Sequence, residues 1–256
     1  MNAEVRARYE KGIEFARAAG KVALAYFNRG VAVEVKSDES PVTIADREAE
    51  MCLRSAITAA FPGDGFLGEE FGDTPGTTGY RWIMDPIDGT RSFVRGIPLW
   101  GTMVGLEHRG ELVAGMIDCA CQGSTWHAMR GGGAWRDGTR ISVSSVTEMA
   151  RANLFYSGLN WFVKSGRERQ FLELVRRTER QRGYGDWYGF MLAAQGAGEA
   201  MIEYGVHAWD VAAVVPIIEE AGGKFTSWDG GLDIFRPDVV ASNGHLHAEI
   251  LAVLNS

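Results

Sequence analysis

The chain has 256 residues, of which 46% are hydrophobic and 23% charged, a composition typical of a globular protein with a sizeable core. Its net charge of −7 argues against a protein whose main partner is a nucleic acid or an anionic membrane. Because no run of roughly eighteen apolar residues occurs, we expect no transmembrane helix, and the N-terminal residues indicate an amphipathic helix rather than a signal peptide. The three cysteines fit a reduced, cytoplasmic protein.

The first half of the chain begins with patterns typical of amphipathic helices. Apolar residues between Tyr9 and Phe27 recur at spacings of three and four, so they form one stripe along a helix. The predicted elements of this half, in chain order, are a helix to about Asn28, a strand at 31–35, a polar loop at 36–41, a helix from Thr43 or Asp46 to 60, a strand at 66–68, an exposed loop at 71–79, a helix from about Arg91 and short antiparallel strands between 101 and 144.

The second half of the chain alternates strand and helix patterns. Its predicted elements are helices at 167–182 and 187–196, a strand at 199–204, a helix at 209–221, strands at 224–227 and 239–241, and a helix at 245–254. The change of pattern between the halves predicts two α/β lobes, residues 1–145 and 146–256.

The most informative segment is the turn Asp85-Pro86-Ile87-Asp88-Gly89-Thr90, which follows an apolar strand. Two carboxylates at a strand end can converge on one point, where they repel each other unless a hard cation lies between them. Gly89 lets the backbone approach a ligand closely, and Thr90 places a hydroxyl at a predicted helix start, which favours an anion. The turn therefore predicts a divalent cation and a phosphate group in one place.

Three further acidic residues, Glu69, Asp46 and Asp210, follow strands or loops where α/β sheets present ligands. Asp46, Asp88 and Asp210 also stand where a helix N-cap can stand, and Glu69 can be part of an exposed charge pair with Glu70. Taken singly, each position is open to both interpretations.

The joint pattern resembles the inositol monophosphatase family of metal-dependent phosphomonoesterases. The resemblance rests on Gly68-Glu69-Glu70, the turn from Asp85 to Thr90, and Trp209-Asp210, in that order, and it extends over nearly the whole chain. It implies a layered α/β/α/β/α fold of five layers, a homodimer and a small phosphate-ester substrate.

The resemblance also implies the metal ligands. Glu69, Asp85 and the backbone carbonyl of Ile87 would hold a first Mg²⁺, and Asp85, Asp88 and Asp210 would hold a second. A third, weaker ion would lie near Glu69. Carboxylate and carbonyl oxygens are the ligands that Mg²⁺ prefers, and paired ions can activate the attacking water and stabilise the leaving oxygen.

The remaining catalytic roles come from the same resemblance. Thr90 and Asp46 would orient a metal-bound water and help to deprotonate it, with Glu69 completing the catalytic set. The backbone N–H groups of Gly89 and Thr90 would hold the phosphate. Hydrolysis would then proceed by in-line attack without a covalent intermediate.

Substrate choice is predicted from Gly185-Asp186-Trp187, because family members that act on histidinol phosphate carry Gly-Asp followed by aromatic residues. The expected substrate is therefore L-histidinol phosphate, whose ammonium and imidazole suit acidic contacts. Asp186, Glu203 and Arg91 are the candidate substrate-binding residues. Asp186 can instead cap a helix that starts at Trp187, Arg91 can be a solvated helix residue, and a role for Glu203 is equally compatible with inositol.

Three alternative functions remain open at this point: an inositol or broad sugar-phosphate phosphatase, a non-catalytic metal- or phosphate-binding regulator, and a haloacid-dehalogenase phosphatase. The last is disfavoured because one residue, not two, separates the aspartates of that motif. Some residues are expected to have no chemical role: Cys119 and Cys121 lack a zinc-ligand pattern, His127 and His207 are structural, His245 and His247 face solvent, and Trp126, Trp135, Trp161 and Trp228 lie in a core or an interface.

Overall fold

The structure is a computed structural model that describes residues 3–30, 32–35 and 41–256. Its first large sheet has eight strands: β3 (Gly65–Gly68), β4 (Gly72–Thr74), β5 (Tyr80–Asp88), β6 (Gly101–His108), β7 (Glu111–Cys119), β8 (Ser124–Met129), β9 (Ala134–Arg136) and β10 (Thr139–Ile141). The spatial order is 10-9-8-7-6-5-3-4, and every neighbouring pair is antiparallel except β3 and β5. Strands β1 (Val33–Val35) and β2 (Pro41–Thr43) form a separate antiparallel pair.

The second large sheet has five strands: β11 (Asn153–Tyr156), β12 (Arg180–Gly183), β13 (Ala200–Tyr204), β14 (Lys224–Ser227) and β15 (Asp238–Ser242). Their spatial order is 12-11-13-15-14; β11 runs parallel to both of its neighbours, and β15 runs antiparallel to both of its own. The helices are α1 (Ala3–Tyr26), α2 (Ile44–Ala60), α3 (Thr90–Phe93), α4 (Leu159–Lys164), α5 (Glu168–Arg177), α6 (Asp186–Ala194), α7 (Ala208–Val211), α8 (Val214–Glu220) and α9 (His247–Leu254).

The helices and sheets stack in five layers, as predicted. Helices α1 and α2 cover the outer face of the eight-stranded sheet, and α7 and α8 cover its inner face. Helices α6 and α8 also pack on the inner face of the five-stranded sheet, whose outer face carries α4 and α9, with α5 packed on these two helices. The layer order is therefore α/β/α/β/α.

The central helical layer holds one continuous buried core. It joins Ile117 of the first sheet, Trp187 of α6, Val215 of α8 and Met201 of the second sheet. Both sheets share this core. The proposed division of the chain into lobes 1–145 and 146–256 stays a prediction.

The helix predicted at 209–221 is wrong in one respect, because the structure divides it into α7 and α8. Pro216 has no N–H to donate to the carbonyl of Ala212, so a continuous helix would lose a hydrogen bond there. The junction at Ala212 and Ala213 packs directly on Gly105 and Gly115 of the sheet, where any Cβ atom would overlap the junction backbone. The break therefore lets the junction between α7 and α8 lie directly against β6 and β7.

The helix predicted at 167–182 is also too long. Helix α5 ends at Arg177, and the side chain of Gln181 donates to the carbonyl of Val175 and to the hydroxyl of Thr178. The chain then continues as the edge strand β12. The predicted loop at 71–79 contains a short strand, β4, which pairs with β3, and most of the predicted polar loop at 36–41 lies outside the described residues.

The prediction that His247 faces solvent is wrong. Its side chain is buried, with Nε2 2.8 Å from the Thr226 hydroxyl and Nδ1 2.8 Å from the Ser242 hydroxyl. The sequence did not show that β14 and β15 place these hydroxyls beneath α9. His245 precedes the helix and is exposed.

Candidate active site

A bulge in strand β5 brings the two aspartates of the turn together. Asp85 pairs with Met103 and Asp88 pairs with Gly101, so three steps along β5 oppose two steps along β6. In a regular strand, residues three apart point to opposite faces, but the extra residue turns both side chains to the same side. Pro86 lies in this bulge, where a missing N–H is tolerated, and the Thr102 hydroxyl donates to its carbonyl at 2.8 Å.

Asp85, Asp88 and Asp210 form the carboxylate cluster of this site. One oxygen of each lies within 4.8 Å of the others, an arrangement that can hold a metal ion. Asp210 comes from the first turn of α7, where its Oδ2 also accepts a hydrogen bond from the backbone N–H of His207 at 2.7 Å. The N-cap of α7 is His207, so the alternative that Asp210 is the N-cap is wrong; Asp210 instead completes the capping box from the third helical position, which is compatible with a role as a metal ligand.

Glu69 lies beside this carboxylate cluster. Its backbone N–H donates to the carbonyl of Met84 at 3.2 Å, which extends the parallel pairing of β3 and β5 to the residue before Asp85. The carboxyl ends of these two strands therefore meet at one edge of the sheet, as the sequence pattern predicts.

The electrostatics of the carboxylate cluster favour a bound cation. Burial, and then the charges of Glu69 and Asp88, raise the pKa of Asp85 well above its usual range. Burial, and then Asp186 and Asp210, likewise raise the pKa of Asp88. Carboxylates in these surroundings resist ionisation unless a cation compensates them, and an all-oxygen ligand set suits a hard divalent ion.

Thr90 links the turn to helix α2. Its hydroxyl lies 3.0 Å from the carbonyl oxygen of Ile87 and 3.3 Å from Oδ1 of Asp46. Oδ2 of Asp46 accepts from the backbone N–H of Thr43 at 2.8 Å and from its hydroxyl at 2.7 Å. Thr43 is therefore the N-cap of α2, and Asp46 completes its capping box while its other oxygen faces Thr90.

Gly89 connects β5 to the single-turn helix α3 in a left-handed conformation, with φ of 89°. A Cβ atom at this position would lie 2.9 Å from the carbonyl oxygen of Leu99 and 3.2 Å from Oδ2 of Asp186. Both the backbone conformation and the available space therefore require glycine here.

A cavity of about 110 Å³ adjoins the carboxylate cluster. Its lining residues are Asp88, Ser157, Trp161, Asp186, Phe190, Glu203, Tyr204, Gly205, Val206 and Asp210. Asp88 and Asp210 belong to the carboxylate cluster and also line this cavity, so a ligand in the cavity contacts the cluster directly. We refer to it as the acidic pocket.

Glu203 lies buried in the wall of the acidic pocket. Its Oε1 accepts hydrogen bonds from the Ser157 hydroxyl and from the backbone N–H of Tyr204, whereas Oε2 is buried without a hydrogen-bond partner. Burial outweighs these bonds and raises the pKa of Glu203 to about 8. A cationic group in the pocket would satisfy Oε2 and favour the ionised carboxylate.

Asp186 also lines the acidic pocket, at the start of α6. The N-cap of that helix is Gly185, so the alternative that Asp186 is the cap is wrong. Asp186 has a left-handed backbone conformation with φ of 49°. Burial and the nearby Asp210 raise its pKa to about 6, and Arg91 opposes the rise. Arg91 is exposed on α3 and close enough to influence this carboxylate.

Comparison with known proteins assigns the chain to a family. The sequence profile described as "Inositol monophosphatase family" matches residues 5–256. This chain belongs to the inositol monophosphatase family. As a family member it is a phosphoric monoester hydrolase, so the alternatives of a non-catalytic regulator and of a haloacid-dehalogenase phosphatase are wrong.

Two similar relatives are proteins named histidinol-phosphatase. The one from Chlorobaculum parvum is 38% identical over 95% of each chain, and the one from Mycobacterium tuberculosis is 41% identical over 88% of each chain. The crystal structure of extragenic suppressor protein suhB from Bartonella henselae is 28% identical, covers 95% of this chain and 96% of that one, and superposes with a TM-score of 0.90. The inositol monophosphatase fold of this chain is thus shared over almost its full length.

The sequence interpretation missed several residues of the acidic pocket in this member of the inositol monophosphatase family. Ser157 follows β11 just as Tyr204 ends β13, and these strands are neighbours, so their strand-end position was an available signal. Trp161 was assigned to a core or interface, but it is only half-buried and lines the pocket. No helix within the described ranges is both long and apolar enough to cross a membrane.

Proposed function

We propose that this inositol monophosphatase family member hydrolyses L-histidinol phosphate to L-histidinol and phosphate, with Mg²⁺ as cofactor. The observation that carries the proposal is the acidic pocket, in which Asp186 and Glu203 adjoin the carboxylate cluster. Histidinol carries an ammonium group and an imidazole, and charge-assisted hydrogen bonds from these groups to carboxylates are strong. The two relatives named histidinol-phosphatase support this choice of substrate.

The chemistry of the donor set fits two to three Mg²⁺ ions. The proposed ligands supply only oxygen: Glu69, Asp85, the carbonyl of Ile87, Asp88 and Asp210. Bound Mg²⁺ would neutralise phosphate charge and lower the pKa of the attacking water. Asp85 is 2% exposed and lies near the charges of Glu69, Asp88 and Asp210, so it would be a ligand in the most crowded part of the set.

The proton of the attacking water has a short path through this chain. Thr90 would accept it at Oγ1 while its own hydroxyl proton passes to Oδ1 of Asp46, the acceptor 3.3 Å away. Asp46 is held for this role by its hydrogen bonds to Thr43. The backbone N–H groups of Gly89 and Thr90 would orient the phosphate, and Arg91 would contact the substrate from α3. Positioning and charge neutralisation then account for most of the catalysis.

The proposal is tested by kcat/KM on a panel of phosphate monoesters, with Mg²⁺ and then with EDTA. We expect a preference of about tenfold or more for L-histidinol phosphate over inositol 1-phosphate, equal to about 1.4 kcal/mol of transition-state binding. A clear preference for inositol 1-phosphate would make the enzyme an inositol or broad-specificity phosphatase instead. The homodimer, the cytoplasmic location and a place in histidine synthesis remain parts of this proposal.

A further inference from the structure

Glu50 of helix α2 is a buried carboxylate outside the carboxylate cluster. Its Oε2 accepts a hydrogen bond from the backbone N–H of Glu70 at 2.8 Å, and its Oε1 accepts from the backbone N–H of Phe71 at 3.3 Å. The side chain has no exposed surface. One buried carboxylate therefore holds the two backbone amides that directly follow Glu69.

Arg54, one helical turn after Glu50, extends this contact along the chain. Its Nε donates to Oε1 of Glu50 at 2.8 Å, and its Nη2 donates to the carbonyl of Gly72 at 2.7 Å. Its Nη1 reaches the Thr74 hydroxyl at 3.1 Å, and its guanidinium lies over the ring of Phe71. The ion pair thus attaches the segment after Glu69 to α2.

Gly68 shows how closely Glu50 approaches the chain on the other side of Glu69. A Cβ atom at Gly68 would overlap Oε1 of Glu50, so only glycine leaves room for this carboxylate. Glu69 itself is tied to β5 by its bond to the carbonyl of Met84. Glu50 therefore contacts the backbone on both sides of Glu69.

We propose that Glu50 is a positioning residue that directs the Glu69 carboxylate toward Asp85 and so sets the affinity of the site for divalent cations. The inference rests on the proposed role of Glu69 as a metal ligand. Backbone N–H groups need acceptors when buried, and both oxygens of a carboxylate can accept. A glutamine at position 50 keeps one acceptor and turns an N–H₂ group toward a donor, so the segment after Glu69 must shift.

The test is direct binding of Mn²⁺ to the enzyme without substrate, measured by the electron paramagnetic resonance of free Mn²⁺. Glu69→Gln serves as the reference for a lost ligand. Glu48→Gln is the matched control, because Glu48 lies on the same helix and bonds the Tyr26 hydroxyl, away from residues 69–71. We expect Glu50→Gln to weaken Mn²⁺ binding about tenfold, while Glu48→Gln binds as the wild type does.

A second readout separates positioning from general stability. With Glu50→Gln, the Mg²⁺ concentration for half-maximal activity should rise by about the same tenfold, while kcat at saturating Mg²⁺ stays within about twofold. Arg54→Lys keeps both charges but loses the contacts to Gly72 and Thr74, so it should weaken Mn²⁺ binding in the same direction by a smaller factor. Arg54→Lys also tests the proposal if the Glu50→Gln enzyme does not fold.

Hydrogen exchange of the wild-type enzyme tests the same contacts without mutation. The amides of Glu70 and Phe71 should be protected, and exchange as fast as in an open loop would overturn the inference. Unchanged Mn²⁺ affinity in a folded Glu50→Gln enzyme would also overturn it, provided that Glu69→Gln is weakened. If Glu69→Gln also binds as the wild type does, the proposed metal site itself is wrong.

Discussion

The carboxylate of Asp88 accepts a 2.7 Å hydrogen bond from the backbone N–H of Trp187, which lies 99 residues later in the chain. Asp88 belongs to the carboxylate cluster, and Trp187 follows Asp186 in the first turn of α6. A carboxylate at this position also interacts favourably with the helix start. The bond therefore couples the proposed metal and phosphate site to the proposed substrate-recognition site at Asp186.

The coupling leads to a prediction for Asp186. Because Asn tolerates the left-handed conformation as Asp does, Asp186→Asn should keep the fold and remove only the charge. We expect kcat/KM for L-histidinol phosphate to fall about tenfold to a hundredfold, with little change for inositol 1-phosphate. Steady-state kinetics on both esters provide the measurement.

Asp137→Asn is the matched control for this substitution. Asp137 has the same kind of backbone conformation, with φ of 50°, but it lies in the turn between β9 and β10. An equal loss on both esters in Asp186→Asn would contradict a role in substrate choice and indicate a general effect on the site.

The hydroxyl of Thr90 should be essential to the chemical step. Thr90→Ala removes the group between the carbonyl of Ile87 and Asp46, so we expect kcat to fall about 10²- to 10⁴-fold with a smaller change in KM. Thr90→Ser keeps the hydroxyl and should retain most of the activity. If Thr90→Ala and Thr90→Ser have the same kcat, the proposed proton path is wrong.

The crowding in the carboxylate cluster predicts a trade-off between stability and metal binding. Mg²⁺ at about 100 times its Kd should stabilise the enzyme by about 2.7 kcal/mol, seen as a rise in Tm that EDTA reverses. Asp85→Asn removes one repelling charge, so its Tm without metal should be higher than that of the wild type, while the Mg²⁺-dependent rise and the activity are lost.

Asp64 provides the contrast for that substitution. Its buried carboxylate pairs with Arg8 at 2.8 Å and accepts from the indole of Trp82 at 2.9 Å. Asp64→Asn should therefore destabilise the protein by about 3–5 kcal/mol, because it leaves the buried guanidinium of Arg8 without its partner carboxylate. If the Tm without metal falls equally in Asp85→Asn and Asp64→Asn, the proposed repulsion at Asp85 is wrong.

His247 should make stability fall at acidic pH. Burial, with a further contribution from Lys224, lowers the pKa of this residue from 6.5 to about 4. In the unfolded chain His247 takes up a proton below pH 6.5, whereas in the folded protein it stays neutral until about pH 4. The contribution of neutral His247 to the free energy of unfolding is therefore fully present above pH 6.5 and is lost as the pH falls toward 4. The shift corresponds to about 3 kcal/mol.

Urea unfolding across this pH range checks the effect. His247→Gln has no titrating ring, so its free energy of unfolding should fall less than that of the wild type between neutral pH and about pH 4. Equal pH dependence in the two proteins would show that His247 titrates normally.

The reaction could be predicted from short segments of sequence. The turn from Asp85 to Thr90 places its two aspartates, glycine and threonine within six residues. Gly68-Glu69 precedes it and Trp209-Asp210 follows it, in the order typical of the family. Binary patterns likewise predicted most helices and strands, since the periodicity of apolar residues is a local property. The break before Pro216, at Ala212 and Ala213, could also have been predicted, because the missing N–H of proline is a local property as well.

The acidic pocket could not be predicted from sequence to the same extent. Ser157 and Trp161 have no motif, and they meet Glu203 only because β11 and β13 are neighbours in the sheet. The prediction for His247 failed for the same reason, as its two hydroxyl partners come from β14 and β15. Contacts across a sheet depend on strand order, which periodicity does not specify.

The sequence by itself determined the reaction class and the family, and it supplied the residue types of the proposed site, because a short turn carries most of the proposed reacting groups. Only the tertiary structure decided that a bulge turns Asp85 and Asp88 to one side, that Asp186 is not a helix cap, and that Glu50 holds the chain around Glu69. These outcomes depend on strand register and on contacts between distant segments. They are settled when the layers pack, and no local pattern encodes them.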